Sequence, residues 1–147
     1  MTFSRRDLAA LLPALAVRAA AAQTPQQTPA RTVLPGKIYH SSQIPYTGND
    51  DKKGRRFFIG TTHTDFNIET HETILGPGMD THAPHNHEHE EMLVIVSGTL
   101  EVHVADKSET AEAGSIVYLA SNIMHNAHNP GATPCRYVVI ELRGAAA

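Results

Sequence analysis

An all-β fold, either a sandwich or a jelly-roll barrel, is the expectation from three observations. β-Branched and aromatic residues fall in short runs, and turn residues separate those runs at intervals of about 8–12 residues. No run past residue 37 sustains the 3.6-residue apolar period of a helix. The elements follow in order. Residues 55–62 (RRFFIGTT) come after the polar cluster Asn49-Asp50-Asp51-Lys52-Lys53-Gly54. Phe66 to Leu75 alternates in part, through Phe66, Ile68, Thr73 and Leu75, and stops at Gly76-Pro77-Gly78. Residues 91–96 (EMLVIV) form a continuous apolar run, which Ser97-Gly98 turns into residues 99–105. There Leu100, Val102 and Val104 alternate with Glu101 and His103. Ala105-Asp106-Lys107-Ser108 is a further turn, and residues 115–120 (SIVYLA) and 136–142 (RYVVIEL) are two more strands. A barrel or jelly roll suits a domain of this size, because closure removes exposed edges and leaves room inside for one small site.

Composition narrows the function classes. The chain has 147 residues, with 12 Lys+Arg, 15 Asp+Glu and 10 His, for a formal charge of −3. That length is one ordinary domain. A mildly acidic chain without a basic run is ill suited to nucleic acid, which demands clustered Lys and Arg. No apolar stretch reaches the ~20 residues that span a bilayer. The single cysteine, Cys135, has no internal disulfide partner and excludes a zinc site of the CxxC kind; it reads as a small buried hydrophobe.

The first 22 residues read as an export signal. Arg5 and Arg6 precede the apolar run LAALLPALAV, and Ala20-Ala21-Ala22 supplies small residues before Gln23. Ser4-Arg5-Arg6-Asp7-Leu8 resembles a twin-arginine signal, the route for proteins exported already folded, with a general secretory signal as the alternative. The expected location is the periplasm. Cleavage removes Arg5, Arg6, Arg18 and Asp7, shifting the net charge from −3 to −5. Residues 23–36, rich in Pro and Gln, read as a flexible or extended leader, which leaves 37–147 as a single domain.

The histidines are unevenly spread. His82, His85, His87 and His89 fall within eight residues. Alternate residues of an extended segment point the same way, about 6–7 Å apart, so His85 and His87 can converge on one ion. Glu91 follows His87 by four residues and brings a carboxylate to the same face, and His125 can supply a third imidazole. Three imidazoles and a carboxylate suit a borderline divalent ion such as Fe, Mn, Co, Ni, Cu or Zn. An octahedral ion so held keeps two positions for water, dioxygen or substrate.

These residues also resemble a family. Gly78 to Gly98 reads G-x6-H-x-H-x3-E-x6-G and is similar to the first motif of the cupin superfamily, with His85, His87 and Glu91 at its ligand positions. One extra residue separates the first Gly from the first His. Gly114 to Asn129 resembles the second motif through Gly114, His125 and Asn129. Ala120 stands where Pro is usual, and Asn122 where Gly is usual; Asn tolerates the left-handed turn that Gly would serve. The resemblance implies a small single-domain cupin: a double-stranded β-helix, or jelly-roll β-barrel, over about residues 37–142. It implies a divalent metal on His85, His87, Glu91 and His125, and a homodimer formed through sheet edges, with an N-terminal strand near Ile38–His40 available for exchange.

The expected activity is that of an exported metalloenzyme, a dioxygenase-like oxidoreductase acting on a small organic substrate, with Glu91 able to accept a proton. Decarboxylase, lyase and isomerase chemistry are other members of the class. The alternative is a periplasmic metal or small-ligand binder without turnover. If the twin-arginine route is used, the protein takes its metal in the cytoplasm before meeting competing Cu and Zn, which favours Fe or Mn. His82 and His89 lie at the mouth of the site or in solvent, and motif spacing prefers His125 to His128. His103 is either solvent-facing or a support for the site, and His40, His63 and His71 read as surface residues. Tyr118 precedes the His125 loop with its direction open.

Overall fold

A computed structural model describes residues 33–145. The export signal and residues 23–32 of the leader lie outside the described residues. Among the described residues there are nine strands: β1 (Thr47–Gly48), β2 (Lys52–Thr61), β3 (Phe66–Leu75), β4 (Glu90–Ser97), β5 (Thr99–Val104), β6 (Lys107–Glu112), β7 (Ile116–Leu119), β8 (His125–His128) and β9 (Cys135–Ala145). All strand pairings are antiparallel. A six-stranded sheet runs in the order β1-β2-β3-β9-β4-β7, and a three-stranded sheet in the order β6-β5-β8. Chain-adjacent β4 and β5 thus lie in different sheets, and β9 returns to sit between β3 and β4. The fold is the expected jelly roll.

Alternation decides which side chains enter the barrel. Along β9, Cys135, Tyr137, Val139 and Glu141 are buried while their neighbours are half-buried. Register aligns Leu75 with Cys135, Thr73 with Tyr137, His71 with Val139 and Glu69 with Glu141. On the other flank of β9, Leu93 opposes Val139 and Glu91 opposes Glu141. Leu100 and Val102 of β5 and Ala127 of β8 close the core from the smaller sheet. The inner face is therefore apolar at one end, around Leu75 and Cys135, and polar at the other, where Glu91, Glu141 and Glu69 stand side by side on three adjacent strands.

Glu69 and Glu141 are almost fully buried, a costly state for a carboxylate without partners. Arg143 offsets it: its Nη2 donates to Glu69 Oε2 at 2.9 Å and its Nε to Glu141 Oε2 at 2.7 Å. Arg56 Nε meets Glu69 Oε1 at 2.7 Å. On the opposite face of β3, buried Glu72 accepts hydrogen bonds from Tyr46 Oη at 2.6 Å and Arg55 Nε at 2.7 Å. That pins the N-terminal segment against the sheet.

Ile38–His40 is not a strand. The backbone there carries no ladder and runs into a 3-10 turn at Ser41–Gln43, with Ile38 75% exposed. Earlier in the chain, Val33 bridges to Thr61 and Leu34 N–H bonds the Thr61 carbonyl at 2.9 Å, so the end of the leader is tied to β2.

Asn122 adopts φ 59°, the left-handed conformation that the usual Gly would take. Asn129 is wholly buried and structural. Its amide Nδ2 donates to the carbonyls of Leu75, Gly76 and Thr133, and its Oδ1 accepts from Gly131 N–H.

Candidate metal centre

The histidine-rich segment is held by backbone pairing with β8. His85 N–H bonds the His125 carbonyl at 3.0 Å, and His125 N–H bonds the His85 carbonyl at 2.8 Å. Asn122 N–H bonds the His87 carbonyl at 2.8 Å. These contacts bring together residues forty positions apart in sequence.

Three rings face one another as a result. Their centroids lie 5.3 Å apart for His85–His87, 4.6 Å for His85–His125 and 4.9 Å for His87–His125. Each Nδ1 lies near a backbone carbonyl: that of His125 for His85 (3.3 Å), of His89 for His87 (2.7 Å) and of Ile123 for His125 (2.8 Å). A carbonyl only accepts, so each neutral ring carries its proton on Nδ1 and leaves Nε2 as a lone-pair donor. Carbonyl tethers of this kind fix the tautomer and orientation of metal-ligating histidines. Nε2 of His87 and Nε2 of His125 are buried and have no hydrogen-bond partner. An orphaned buried nitrogen is costly, and a cation between these rings would satisfy both. Burial, the largest influence, lowers the pKa of His125 and keeps its ring neutral, the form that coordinates.

Glu91 joins from the start of β4. Its Oε1 lies 3.2 Å from His87 Nε2 and 3.4 Å from His89 Nε2. Donor atoms of His85, His87 and His125 form one set that could hold an ion, and those of His87, His89 and Glu91 form a second that shares His87. His89 is therefore part of the site, not a solvated neighbour. It stacks on His87 at 3.6 Å with an interplanar angle of 3°, and its Nε2 lies 3.5 Å from Glu141 Oε2. Its spacing from His85 and His87 allows the same face, but the pairing with Glu141, far along the chain, is what draws it in.

Other residues fall where alternation puts them. On β8, His125 and Ala127 point inward, while His128 pairs its Nδ1 with Asp80 Oδ1 at 3.0 Å on the outer side. Tyr118 is 54% exposed on the outer face of β7, where its hydroxyl donates to Glu90. His40 and His63 are exposed and His103 is half-buried on β5. His71 departs from its expected surface place. It shares the inner row with Val139 and Leu93, and its Nδ1 is buried between Glu69 and Glu141, at 3.7 and 3.9 Å. Cys135 is fully buried, and desolvation pushes its thiol pKa up to about 11.

A cavity of about 120 Å³ opens beside the histidines. His125, Glu91 and His82 border it, Thr73, Thr81 and Lys52 form its polar wall, and Leu93, Val102, Leu119 and Val139 form its apolar wall. His82 stands 4.0 Å from the His85 ring, and desolvation, its largest influence, lowers its pKa.

Comparison with known proteins gives a family match over part of the chain. The Cupin_2 family, described as a cupin domain, matches residues 71–141. A comparison with curated protein sequences found no significant match. Among solved structures, an RmlC-like cupin from Shewanella frigidimarina shares 17% identity at a TM-score of 0.59, covering 70% of this chain and 86% of its own. The polyketide cyclase RemF from Streptomyces resistomycificus shares 18% at 0.59, covering 74% and 80%. A predicted oxalate decarboxylase from Thermotoga maritima shares 18% at 0.58, covering 72% and 98%. At these identities the likeness concerns the fold alone.

Proposed function

We propose that the chain is a cupin, on the strength of the family match over residues 71–141, and that it is an exported, metal-dependent enzyme acting on a small organic substrate. His85, His87, His125 and Glu91 would hold one divalent transition ion. The observation that carries this reading is the pair of buried Nε2 atoms on His87 and His125, neither with a hydrogen-bond partner, in rings whose Nδ1 atoms are already committed to carbonyls.

A bound ion of this class supplies Lewis acidity and, with dioxygen, redox chemistry of the dioxygenase-like kind. The remaining work falls to the chain. The three imidazoles present neutral donors in a fixed triangle. Glu91, half-buried between His87 and His89, contributes negative charge and can accept a proton from a substrate in the cavity. Leu93, Val102, Leu119 and Val139 exclude water from that side of the cavity. Iron or manganese is favoured, on the argument that the Arg5-Arg6 signal directs export of a protein already folded and loaded.

Elemental analysis of protein from its native compartment is expected to give a transition metal near one per chain, and its absence would sink the metal reading. Oxygen uptake against phenols, thiols and small carboxylates tests the oxidase chemistry. Export and metal identity are tested together by Arg5→Lys with Arg6→Lys, expected to abolish export by this route. A homodimer through sheet edges completes the proposal and is read by sedimentation. The extra rings at His82 and His89 favour a second reading, metal or ligand binding without turnover. Full metal content with flat oxygen uptake would select it.

A further inference from the structure

The cavity beside the histidines is also bordered by a lysine. Lys52 opens β2 opposite Leu75, whose side chain is fully buried, so the lysine leaves the sheet on the barrel side. The residue is exposed as a whole yet borders the cavity, where its Nζ donates to the Thr81 carbonyl. Among the described residues no carboxylate pairs with it, although every Arg from position 55 onward has at least one. Among the described residues it is also the only Lys or Arg bordering this cavity. An ammonium without a carboxylate partner in the wall of a half-apolar pocket attracts an anion more strongly than one in open water.

Size narrows the guest. A buried apolar cavity of about 150 Å³ accommodates benzene, so a cavity of about 120 Å³ admits a molecule, or the end of one, of roughly six non-hydrogen atoms or fewer. Hydroxyls of Thr73 and Thr81 and the imidazole of His71 border the space between Lys52 and the Glu91–His125 end, and so offer hydrogen bonds to an oxygenated chain.

We propose that Lys52 is the specificity-determining residue of this cavity, binding the carboxylate of a small organic acid while the rest of the molecule extends towards Glu91 and His125. The inference rests on the reading that the histidine centre serves a small organic substrate, and it names the class of that substrate.

The full metal-loaded chain, titrated calorimetrically with lactate and with its neutral isostere lactamide, tests this. Wild type is expected to prefer lactate by about tenfold or more, the worth of one hydrogen-bonded charge. Lys52→Gln should lose that preference while keeping its affinity for lactamide, and Lys52→Arg should recover lactate binding to within about threefold. No preference for lactate in wild type, or equal lactate affinity in Lys52→Gln, overturns the proposal. Metal content of the same samples separates the two claims. Lactate preference that depends on Lys52 in protein lacking metal refutes the metal centre alone, and metal without charge preference refutes the lysine alone.

Discussion

Replacing Asn129 by Ala probes whether the last residue of the second motif is structural. Its two amide hydrogens serve the Leu75, Gly76 and Thr133 carbonyls at 2.9–3.0 Å, and its Oδ1 accepts from Gly131 N–H at 2.9 Å. The side chain is wholly buried, so water cannot replace these partners without opening the loops. Counting about three net hydrogen bonds at about 1 kcal/mol each gives a loss of about 3 kcal/mol, a large part of the total of about 5–15 kcal/mol typical of a domain. At roughly 4 °C per kcal/mol for a domain of this size, Tm should fall by about 12 °C. Urea unfolding should show a lower midpoint at an unchanged slope. Asn129→Asp, which keeps the shape but loses both donors, should do at least as much damage. Metal content of the folded fraction should not change, because Asn129 does not border the cavity. A loss of less than about 1 kcal/mol in either variant would refute the role.

Three further outcomes follow from the geometry. His125→Ala should lower bound transition metal by at least about tenfold, whereas His128→Ala, which removes only an outward pair with Asp80, should leave it intact; elemental analysis decides. Gly98→Ala should cost roughly twice as much as Gly114→Ala in urea midpoint. Both have left-handed backbones worth about 1–2 kcal/mol to a residue with a Cβ, but at Gly98 that Cβ meets Cys135 Cα at 2.9 Å and Pro134 O at 3.0 Å, and at Gly114 it meets open space. Cys135, buried and with its pKa near 11, should be about one part in a thousand thiolate at pH 8. Labelling by a disulfide reagent should therefore be slow in native buffer, rise with pH, and accelerate with unfolding; rapid labelling of the folded chain would contradict its burial.

Strands with their own apolar or alternating pattern are legible in the sequence itself. Phe66–Leu75 coincides with β3, and the readings of residues 91–96, 99–105, 115–120 and 136–142 each fall on β4, β5, β7 and β9 with ends shifted by one to three residues. Besides the two-residue β1, two strands carry no such pattern, for one reason. β6 (KSETAE) is an edge strand that is almost entirely exposed, and β8 (HNAH) is four residues of mostly polar side chains. Pairing with β5, not their own composition, makes both into strands. Lys52–Gly54 reads as a turn because it is polar, yet β3 supplies its ladder.

At the candidate site, ring spacing on one extended segment is readable, because alternation is a local property. The places of His71, His89 and Lys52 are not. His71 turns inward through register with β9, and His89 is drawn in by Glu141, fifty-two positions later in the chain. Such placements depend on which strands become neighbours, and no single stretch of sequence carries that information.

The reciprocal backbone pairing of His85 with His125 sets an order of events. Neither half of the donor set has its geometry until β8 has docked beside β5 and the segment before β4 has closed onto it. Contacts so far apart in sequence form late and slowly, since loop closure must precede them. An ion held by all four residues would therefore find its full donor set only in the completed fold, and would raise the cost of reopening it. Metal loading in this molecule would act as a latch on the finished barrel, felt mainly as slower unfolding.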